Sequence, residues 1–317
     1  MDWKPKDWIE HPTYGIGQVS ENRGDKLDID FVGTGRKTLL KSTELKPATP
    51  PSPDFKFPSA KGKSRTPRFK VQHPPKKPPF DFNYLVEGFV RFFDGGGFDS
   101  TDFDEKERKE KVKAAGILKD KLGKEIFESL LRDGRYVEVC DVAKEVLQET
   151  RLVFWIVKAK FVDGLKIAAN QERFANALYD LLYGSADMEQ RFTKSCDLLS
   201  EMGANEWTIA TYFQFLATDG KWMLMKRKVT KRMAKSLNIP LNFKPEPNWL
   251  TYSKLQELAD RVEQELAESA KKLEMQNRGL KPHSRIDVQG FVWASIKIAD
   301  GTYGKKGSRQ ESDEVGV

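Results

Sequence analysis

The sequence predicts a mostly helical protein with a small all-β barrel at its N-terminus, and three observations support that fold class. Within residues 1–47, glycine-containing turns separate short segments in which apolar and polar residues alternate. Residues 48–80 are rich in proline, lysine and arginine, as is typical of linkers. From residue 81 onward, apolar residues recur at helical spacing. We therefore expect a barrel over 1–47, a linker over 48–80, an all-helical domain over 81–298 and a flexible tail over 299–317.

The N-terminal segment is predicted to contain four short strands, at residues 8–11, 17–22, 27–31 and 37–40. In the third strand, Leu27, Ile29 and Phe31 alternate with two aspartates, which is the period of a strand that is buried on one face. Glycines in the intervening segments supply the turn chemistry that strands of this length need. About forty residues of this kind predict a small sheet or barrel.

A motif in this segment resembles a known module. Residues 11–17 read HPTYGIG, and the strands LDIDF at 27–31 and GRKTLL at 35–40 follow. The pattern resembles the C-terminal Tudor-like, SH3-like barrel of UvrD/PcrA-type DNA helicases, in which a His-x-x-Phe/Tyr-Gly-x-Gly turn precedes two strands and a basic glycine turn. The resemblance implies a docking module for DNA or for the transcription or repair machinery, with Arg36 and Lys37 as candidate nucleic-acid contacts. The alternative is a generic barrel that serves as a spacer.

The resemblance brings no catalytic machinery with it. The chain has no Walker A loop, so we expect no helicase motor. The linker over 48–80 contains one acidic residue, Asp54, among many lysines and arginines. Its cations could contact phosphates without sequence preference, or they could simply keep a solvated linker soluble.

Composition limits the classes of function. The 317 residues include 54 Lys and Arg against 47 Asp and Glu, a net charge of +7, which favours a polyanionic partner such as DNA. Cys140 and Cys196 lie far apart in helical stretches, so we expect two buried thiols and no disulfide or zinc pattern. The three histidines are scattered, so neither a metal nor another cofactor is expected. The absence of a signal peptide and of a long apolar segment predicts a cytoplasmic protein with no membrane partner.

The helical domain is predicted from its apolar spacing. A short helix around Leu85 and Phe89 ends at a glycine-rich turn, and a helical pattern over 126–147 is broken at Gly134. The other predicted helices cover residues 104–122, 152–168, 171–183, 188–202, 211–217, 226–237, 252–275 and 286–296. An acidic cluster over 99–107 is interpreted as helix caps rather than as a two-metal site.

Residues 202–237 form the best candidate nucleic-acid surface in the sequence. A helix over 211–217, a glycine turn at 218–220 and a second helix over 226–237 with outward-facing N–H groups would bind phosphates without sequence preference, and cations flank these elements. The candidate contacts are Gly203, Asn205, Trp207, Lys221, Arg227, Lys228, Lys231 and Arg232.

The same stretch resembles the helix–hairpin–helix DNA glycosylases. That family has a Leu-Pro-Gly-Val-Gly hairpin, and about twenty residues later an Asp precedes a helix of pattern Val-x-Arg-x-Ala-x-x-Leu. Gly203 falls on the first hairpin glycine, and Val229, Arg232, Ala234 and Leu237 fall close to the later helix. The chain departs from the family in three places: Asn205 replaces the second glycine, Trp207 replaces the lysine of lyase members, and Lys226 stands at the catalytic Asp.

A glycosylase needs a carboxylate to stabilise the sugar cation or activate water, or else an amine that attacks C1′. Lys226 is the candidate amine, with a phosphate contact as its alternative role. Asp287 and Gln289 interrupt an apolar run, where they could form a carboxylate or base-reading pocket with Trp293 as a stacking surface. The alternative for them is a helix cap beside a core tryptophan.

The sequence thus predicts a DNA-binding, base-flipping enzyme of glycosylase type that acts on damaged or modified bases. Such an enzyme would serve repair or defence against foreign modified DNA. The alternative is a non-enzymatic adaptor that connects DNA with the transcription machinery.

Overall fold

The computed structural model describes residues 2–32, 34–52, 79–217, 221–275 and 277–305. Internal contacts divide the chain into two compact units, Met1–Lys76 and Lys77–Val317. The predicted fold class is confirmed, because an N-terminal antiparallel sheet is followed by a larger helical region. Most of the predicted linker, the predicted turn at 218–220 and residues 306–317 of the predicted tail lie outside the described residues.

The N-terminal unit contains a five-stranded antiparallel sheet of order β4-β3-β2-β1-β5. Its strands are β1 (Trp8–His11), β2 (Gly15–Asn22), β3 (Lys26–Phe31), β4 (Gly35–Leu40) and β5 (Lys46–Pro47). The register places Val19 beside Ile29 and Leu27 beside Leu39, which gathers the apolar side chains on one face. Leu27, Ile29 and Phe31 are buried as predicted, but Asp28 between them is also buried, where it accepts a hydrogen bond from Thr38 and pairs with Arg23. The two-residue β5 was not predicted.

The HPTYGIG motif builds the turn between β1 and β2. The Nδ1 atom of His11 accepts hydrogen bonds from the backbone N–H groups of Thr13 (3.0 Å) and Tyr14 (3.3 Å), and its ring stacks on Tyr14 at 4.6 Å between centroids. A Cβ atom on Gly17 would lie 2.6 Å from the ring of Phe31, so only glycine fits there. These residue types at this spacing are therefore explained by the local fold.

The helical unit begins with α1 (Phe82–Phe92), and an irregular region precedes the third helix. A 3₁₀ turn at Gly97–Asp99 leads to α2 (Thr101–Phe103) and a π-helical turn at Asp104–Arg108. The remaining helices are α3 (Lys109–Leu122), α4 (Lys124–Arg132), α5 (Tyr136–Glu149), α6 (Trp155–Leu165), α7 (Ala168–Tyr183), α8 (Met188–Glu201), α9 (Trp207–Ala210), α10 (Tyr212–Ala217), α11 (Arg227–Ser236), α12 (Trp249–Lys272) and α13 (Arg285–Ala299).

Helix α13 is the centre of this unit. Its twelve consecutive residues from Ile286 to Lys297 are all buried, which is the pattern of a helix surrounded by protein. Helices α1, α11 and α12 and the π-helical turn pack against it. Gly290 allows α13 to pack closely against Phe103, because a Cβ atom at this position would lie 2.8 Å from the ring of Phe103. The functional candidates of this unit are therefore arranged around α13.

Two further predictions concern the thiols and the membrane. Cys140 and Cys196 are buried and unpaired with each other, as predicted, and burial raises the pKa of their thiols to about 11 and about 12. Over the described ranges, no helix has both the length and the apolar character that a bilayer crossing needs.

Candidate nucleic-acid interface

Helix α11, which belongs to the predicted nucleic-acid surface, is strongly positively charged. Five of its ten residues are Lys or Arg, and none is acidic. Val229 and Met233 are buried against the core, which leaves Lys228, Lys231 and Lys235 exposed. Partial burial lowers the pKa of Lys231, and the neighbouring charges of α11 lower it further. The exposed face of α11 is therefore a region of positive potential.

An aromatic residue orients two of these cations. The ring of Phe243 lies 4.5 Å from the Nζ atom of Lys231 and 5.7 Å from the guanidinium carbon of Arg227. Contacts of this type attract a cation to a ring without neutralising its charge. The ring of Phe243 thus helps to position both cations at the surface of α11.

Arg232 has a different role from the one predicted. Its guanidinium forms an ion pair with Asp300, directly after α13, and stacks on Phe80 at 4.4 Å. The charge of Arg232 is therefore matched inside the protein, and the side chain attaches α11 to its neighbours. Lys221, also predicted as a contact, is exposed and precedes α11 in the chain.

The predicted role of Lys226 as a nucleophile or phosphate contact must be corrected. Its side chain is only 7% exposed, its ammonium group donates a hydrogen bond to the carbonyl of Leu152, and it lies 5.5 Å from the ring of Trp293. An amine that is enclosed in this way is not positioned to contact a DNA strand on the surface. The sequence pattern did not reveal this, because a lysine beside a basic helix is ordinarily exposed.

The predicted glycine hairpin is a helix C-cap. Gly203 has a φ of 68°, its N–H donates to the carbonyl of Ser200, and the N–H of Ala204 donates to the carbonyl of Leu199. These two bonds define a Schellman motif, which satisfies the last carbonyls of α8. Gly203 is therefore required by the end of α8, and a phosphate is not needed to explain it.

The elements after Gly203 are buried instead of facing outward. Trp207 is 1% exposed, and its indole N–H donates to the carbonyl of Lys244 at 3.0 Å, so its prediction as a nucleic-acid contact is corrected. Asn205 is half-buried, and its Oδ1 atom has no hydrogen-bond partner among the described residues. Because all ten residues from Trp207 to Leu216 lie in the core, the N-terminus of α9 offers no open phosphate site.

Asp287 is a structural carboxylate in the described fold. It is fully buried and accepts two hydrogen bonds from Arg108, from Nε at 2.8 Å and from Nη2 at 3.0 Å. It also accepts a hydrogen bond at 2.8 Å from the backbone N–H of His283, the residue before the N-cap Ser284, and so ties down the N-terminus of α13. The prediction of Asp287 as a catalytic carboxylate is corrected, and the alternative role of a cap is the one observed.

Gln289 and Lys226 line one small cavity together with Trp293, so the structure brings these three predicted residues together. The cavity volume is about 20 Å³, enough for one water molecule and too small for a nucleobase. Sequence reasoning missed Lys111 in its wall, whose buried ammonium lies 3.5 Å from Glu107 and whose pKa is lowered by burial. Neither that ammonium nor Oε1 of Gln289 has a hydrogen-bond partner in the described part of the chain.

A much larger pocket lies between α1 and α13, and none of its residues was among the predicted site residues. Its cavity volume is about 450 Å³. The wall is lined by Tyr84, Leu85, Glu87, Gly88, Arg91, Phe92, Ser295, Ile298 and Ala299. One signal was present in the sequence: the face of α1 that carries Tyr84, Glu87 and Arg91 combines an aromatic ring with both charges. We call this the α1/α13 pocket.

The α1/α13 pocket is connected to the basic helix through one aromatic residue. The ring of Phe80 lies under Arg232 of α11 and 6.1 Å from the ring of Tyr84 at the edge of the pocket. Phe80 therefore lies between Arg232 of the basic helix and Tyr84 at the edge of the pocket.

The candidate contacts in the N-terminal unit are both exposed. Arg36 forms a two-pronged pair with Asp30, both bonds being 2.8 Å long, which raises the pKa of Arg36 and lowers that of Asp30. The ammonium of Lys37 lies 5.9 Å from the ring of Tyr14. Lys37 is thus the stronger candidate of the two for an anion, because the charge of Arg36 already has a partner within the sheet.

The acidic cluster around α2 is explained by ion pairs. Asp102 pairs with Lys106, Asp104 with Arg108 and Glu105 with Lys109, while Ser100 supplies the N-cap of α2. Within the ranges that the structure describes, no group of three or more His, Cys, Asp or Glu side chains could hold a metal ion.

The fold and the site together define a two-unit protein with an N-terminal antiparallel sheet and a helical unit that combines a cationic helix with an adjacent pocket. Comparisons with protein-family models, with curated proteins and with solved structures found no match.

Proposed function

We propose that this protein binds DNA through phosphate contacts made by the exposed face of α11. The observation that carries the proposal is the composition of α11, in which half of the residues are cationic and none is acidic. Lys228 and Lys235 lie seven residues apart, about 10 Å along the helix at roughly 1.5 Å per residue, with Lys231 between them. A row of cations of this length can contact several phosphates of a strand.

Of the two functions predicted from the sequence, the non-enzymatic adaptor has the stronger support. The two residues that were predicted to catalyse base excision, Asp287 and Lys226, are both buried and occupied by structural hydrogen bonds. The contacts on α11 are with phosphates and carry no information about base sequence. The resemblance of the N-terminal segment to a helicase barrel favours DNA as the polyanion, and docking to the transcription or repair machinery is part of the same proposal. We propose the cytoplasm as its location.

Base excision is the second candidate function, and one observation favours it. Glu87 places a carboxylate in the wall of the α1/α13 pocket, whose volume is sufficient for a nucleobase. A carboxylate near the sugar could accept a proton from water as its oxygen bonds to C1′ while the bond from C1′ to the base nitrogen breaks. The departing base nitrogen takes up the proton that the carboxylate accepted, so that one water molecule is added across the bond and an abasic sugar remains.

Fluorescence anisotropy with a labelled DNA duplex tests the main proposal. The variant is the triple substitution Lys228→Gln, Lys231→Gln and Lys235→Gln, measured over a series of salt concentrations. Each neutralised phosphate contributes roughly 0.9 to the slope of log affinity against log salt, so the slope should fall by up to about 2.7.

The matched control removes the same charge elsewhere. Lys119, Lys124 and Lys194 are exposed lysines on α3, α4 and α8, and their triple substitution by Gln should leave the slope close to that of the wild type. Equal losses in the two triple variants would show that only net charge matters and would contradict the assignment to α11. A wild-type affinity that does not respond to salt would contradict phosphate binding altogether.

A further inference from the structure

We infer that the α1/α13 pocket binds one unpaired nucleobase of the DNA strand that contacts α11. This inference rests on the proposed function and adds a ligand class to it. The volume of the pocket, about 450 Å³, lies within the range of roughly 300 to 1,000 Å³ that is usual for small-molecule sites. A base attached to its strand is a planar ring of that scale.

The polar groups of the pocket match the edge of a base. Glu87 offers an acceptor and Arg91 a fork of donors, and the two residues lie one helical turn apart on α1. No ion pair between them occurs among the described residues, so both are available to a ligand. The edges of bases present donors and acceptors side by side, and carboxylate and guanidinium groups are their usual partners in proteins.

A buried hydroxyl provides independent support. Ser295 lies on the central helix α13 and lines the pocket, and its side-chain oxygen has no hydrogen-bond partner among the described residues. It is 1% exposed. A buried hydroxyl without a partner costs free energy, and a polar ligand in the pocket would remove that cost. A purely apolar occupant would leave Ser295 unsatisfied, which favours a base over an apolar peptide.

Two exposed aromatic rings border the pocket. Tyr84 is 53% exposed and Phe92 is 40% exposed, although large apolar rings are ordinarily covered. Phe92 is held in place by Tyr303, at 4.9 Å between ring centroids in an edge-to-face arrangement. Base stacking on exposed aromatic rings is the common way in which proteins bind unpaired bases.

The position of the pocket favours a base in a strand over a free nucleoside. Phe80 connects the edge of the pocket at Tyr84 with Arg232 of the basic helix. A strand whose phosphates lie on the exposed lysines of α11 would therefore pass directly beside the pocket. A free metabolite would gain nothing from that arrangement.

Gly88 keeps the pocket open and supplies a test. It lies within α1, and a Cβ atom there would meet only the side chain of Ile298, at the ordinary contact distance of 3.8 Å. Packing therefore does not require glycine at this position. Gly88→Leu should fill the pocket. Gly88→Ala is the control, because it also raises the helix propensity at this position but leaves most of the pocket volume free.

The experiment compares two DNA duplexes that differ in one bulged nucleotide, which is either an unpaired adenine or an abasic analogue. The wild type should bind the duplex with the adenine about tenfold more tightly, because stacking of one base has an effect of this order. Gly88→Leu should abolish that preference and retain the salt-dependent affinity for the abasic duplex, whereas Gly88→Ala should keep both. Tyr84→Ala, which alters an exposed side chain, provides a second variant that should reduce the preference without affecting folding.

Each other outcome separates the two proposals. Equal affinity of the wild type for both duplexes, with the α11 lysines still required, would overturn the base site and leave DNA binding by α11 standing. Absence of binding to either duplex would overturn the proposed function as well. A preference for the same bulge in RNA would overturn the choice of DNA. Binding of free deoxyadenosine monophosphate that does not depend on the α11 lysines would assign the pocket to a free nucleotide and overturn the inference.

Discussion

The carboxylate of Asp287 and the guanidinium of Arg108, 179 residues apart in the sequence, form a two-pronged ion pair in the core of the helical unit. The pair joins the N-terminus of α13 to the π-helical turn that precedes α3. Burial opposes the charge of Arg108, but its bonds to Asp287 prevail and raise its pKa above the ordinary value. The carboxylate of Asp287 therefore links α13 to the π-helical turn.

Replacement of Asp287 should therefore reduce stability. In Asp287→Asn, Arg108 loses its charged partner in a mostly buried place, and we expect a loss of about 3 kcal/mol in the free energy of unfolding. Urea denaturation measures it. The control is Asp104→Asn, which removes the more exposed partner of Arg108 and should cost less than about 1 kcal/mol. Similar losses for the two variants would contradict the structural role of Asp287.

Lys111 should make stability dependent on pH. Burial lowers its pKa in the folded state below the ordinary value of 10.5, so the unfolded chain binds more protons in the interval between the two values. Stability must then rise with pH across that interval. We expect the free energy of unfolding of the wild type, relative to Lys111→Met, to increase as the pH is raised toward 10.5. A constant difference between the two proteins across that range would refute this.

Arg232 and Lys235 should separate stability from DNA affinity. Arg232→Ala removes the ion pair with Asp300 and the stacking on Phe80, so the free energy of unfolding should fall by about 1 to 2 kcal/mol. Lys235→Gln alters an exposed residue and should change stability by less than about 0.5 kcal/mol. The same Lys235→Gln variant should lower the salt slope of DNA binding by roughly 1. Thermal melts and anisotropy titrations on both variants check this, and a reversed pattern would contradict the assigned roles.

Gly203 should matter for folding and not for DNA. Its φ of 68° is unfavourable for other residues, so Gly203→Ala should cost about 1 kcal/mol of stability and leave DNA affinity unchanged. Gly116→Ala is the matched control, because that glycine lies inside α3 with nothing within 4 Å of an added Cβ atom. The control should be neutral or stabilising. A loss of DNA affinity in Gly203→Ala but not in the control would support the predicted role of Gly203 in a phosphate-binding hairpin.

Base excision can be tested with variants of Glu87, which lines the pocket, and of Lys226, which is buried in the core. If duplexes with modified bases acquire abasic sites, scored by alkaline cleavage, Glu87→Gln should abolish the conversion, because Glu87 is the one carboxylate among the described residues of the α1/α13 pocket wall. Lys226→Ala, when folded, should retain it, since the Lys226 ammonium faces the core. Conversion that depends on Lys226 and not on Glu87 would reverse this assignment.

Much of the fold could be predicted from the sequence, because periodicity is a local property. The alternation of Leu27, Ile29 and Phe31 predicted a strand of the sheet, and the spacing of apolar residues predicted the long helices to within a few residues. Part of the HPTYGIG motif also had a local meaning, since its histidine and tyrosine form the turn together, whereas Gly17 is required by the ring of Phe31 in β3. Boundaries were less accurate at α9, where the predicted loop is already helical from Trp207.

The roles of single polar side chains could not be predicted in the same way. Lys226 and Asp287 looked chemically available, but each is buried by elements distant in the chain: the carbonyl of Leu152 for one and Arg108 for the other. The α1/α13 pocket has the same origin, because Glu87 and Ser295 share one wall only after α1 packs against α13.

The sequence by itself determined the division into a β and a helical unit, the burial of its two cysteines and the positive charge of α11, since composition and short-range spacing are sufficient for these. Only the tertiary structure decided which cations remain exposed, which carboxylate is committed to an ion pair and where a cavity opens. The physical reason is that burial and pairing depend on contacts between residues far apart in the chain. Asp287 and Arg108 illustrate this, because neither segment alone indicates the other.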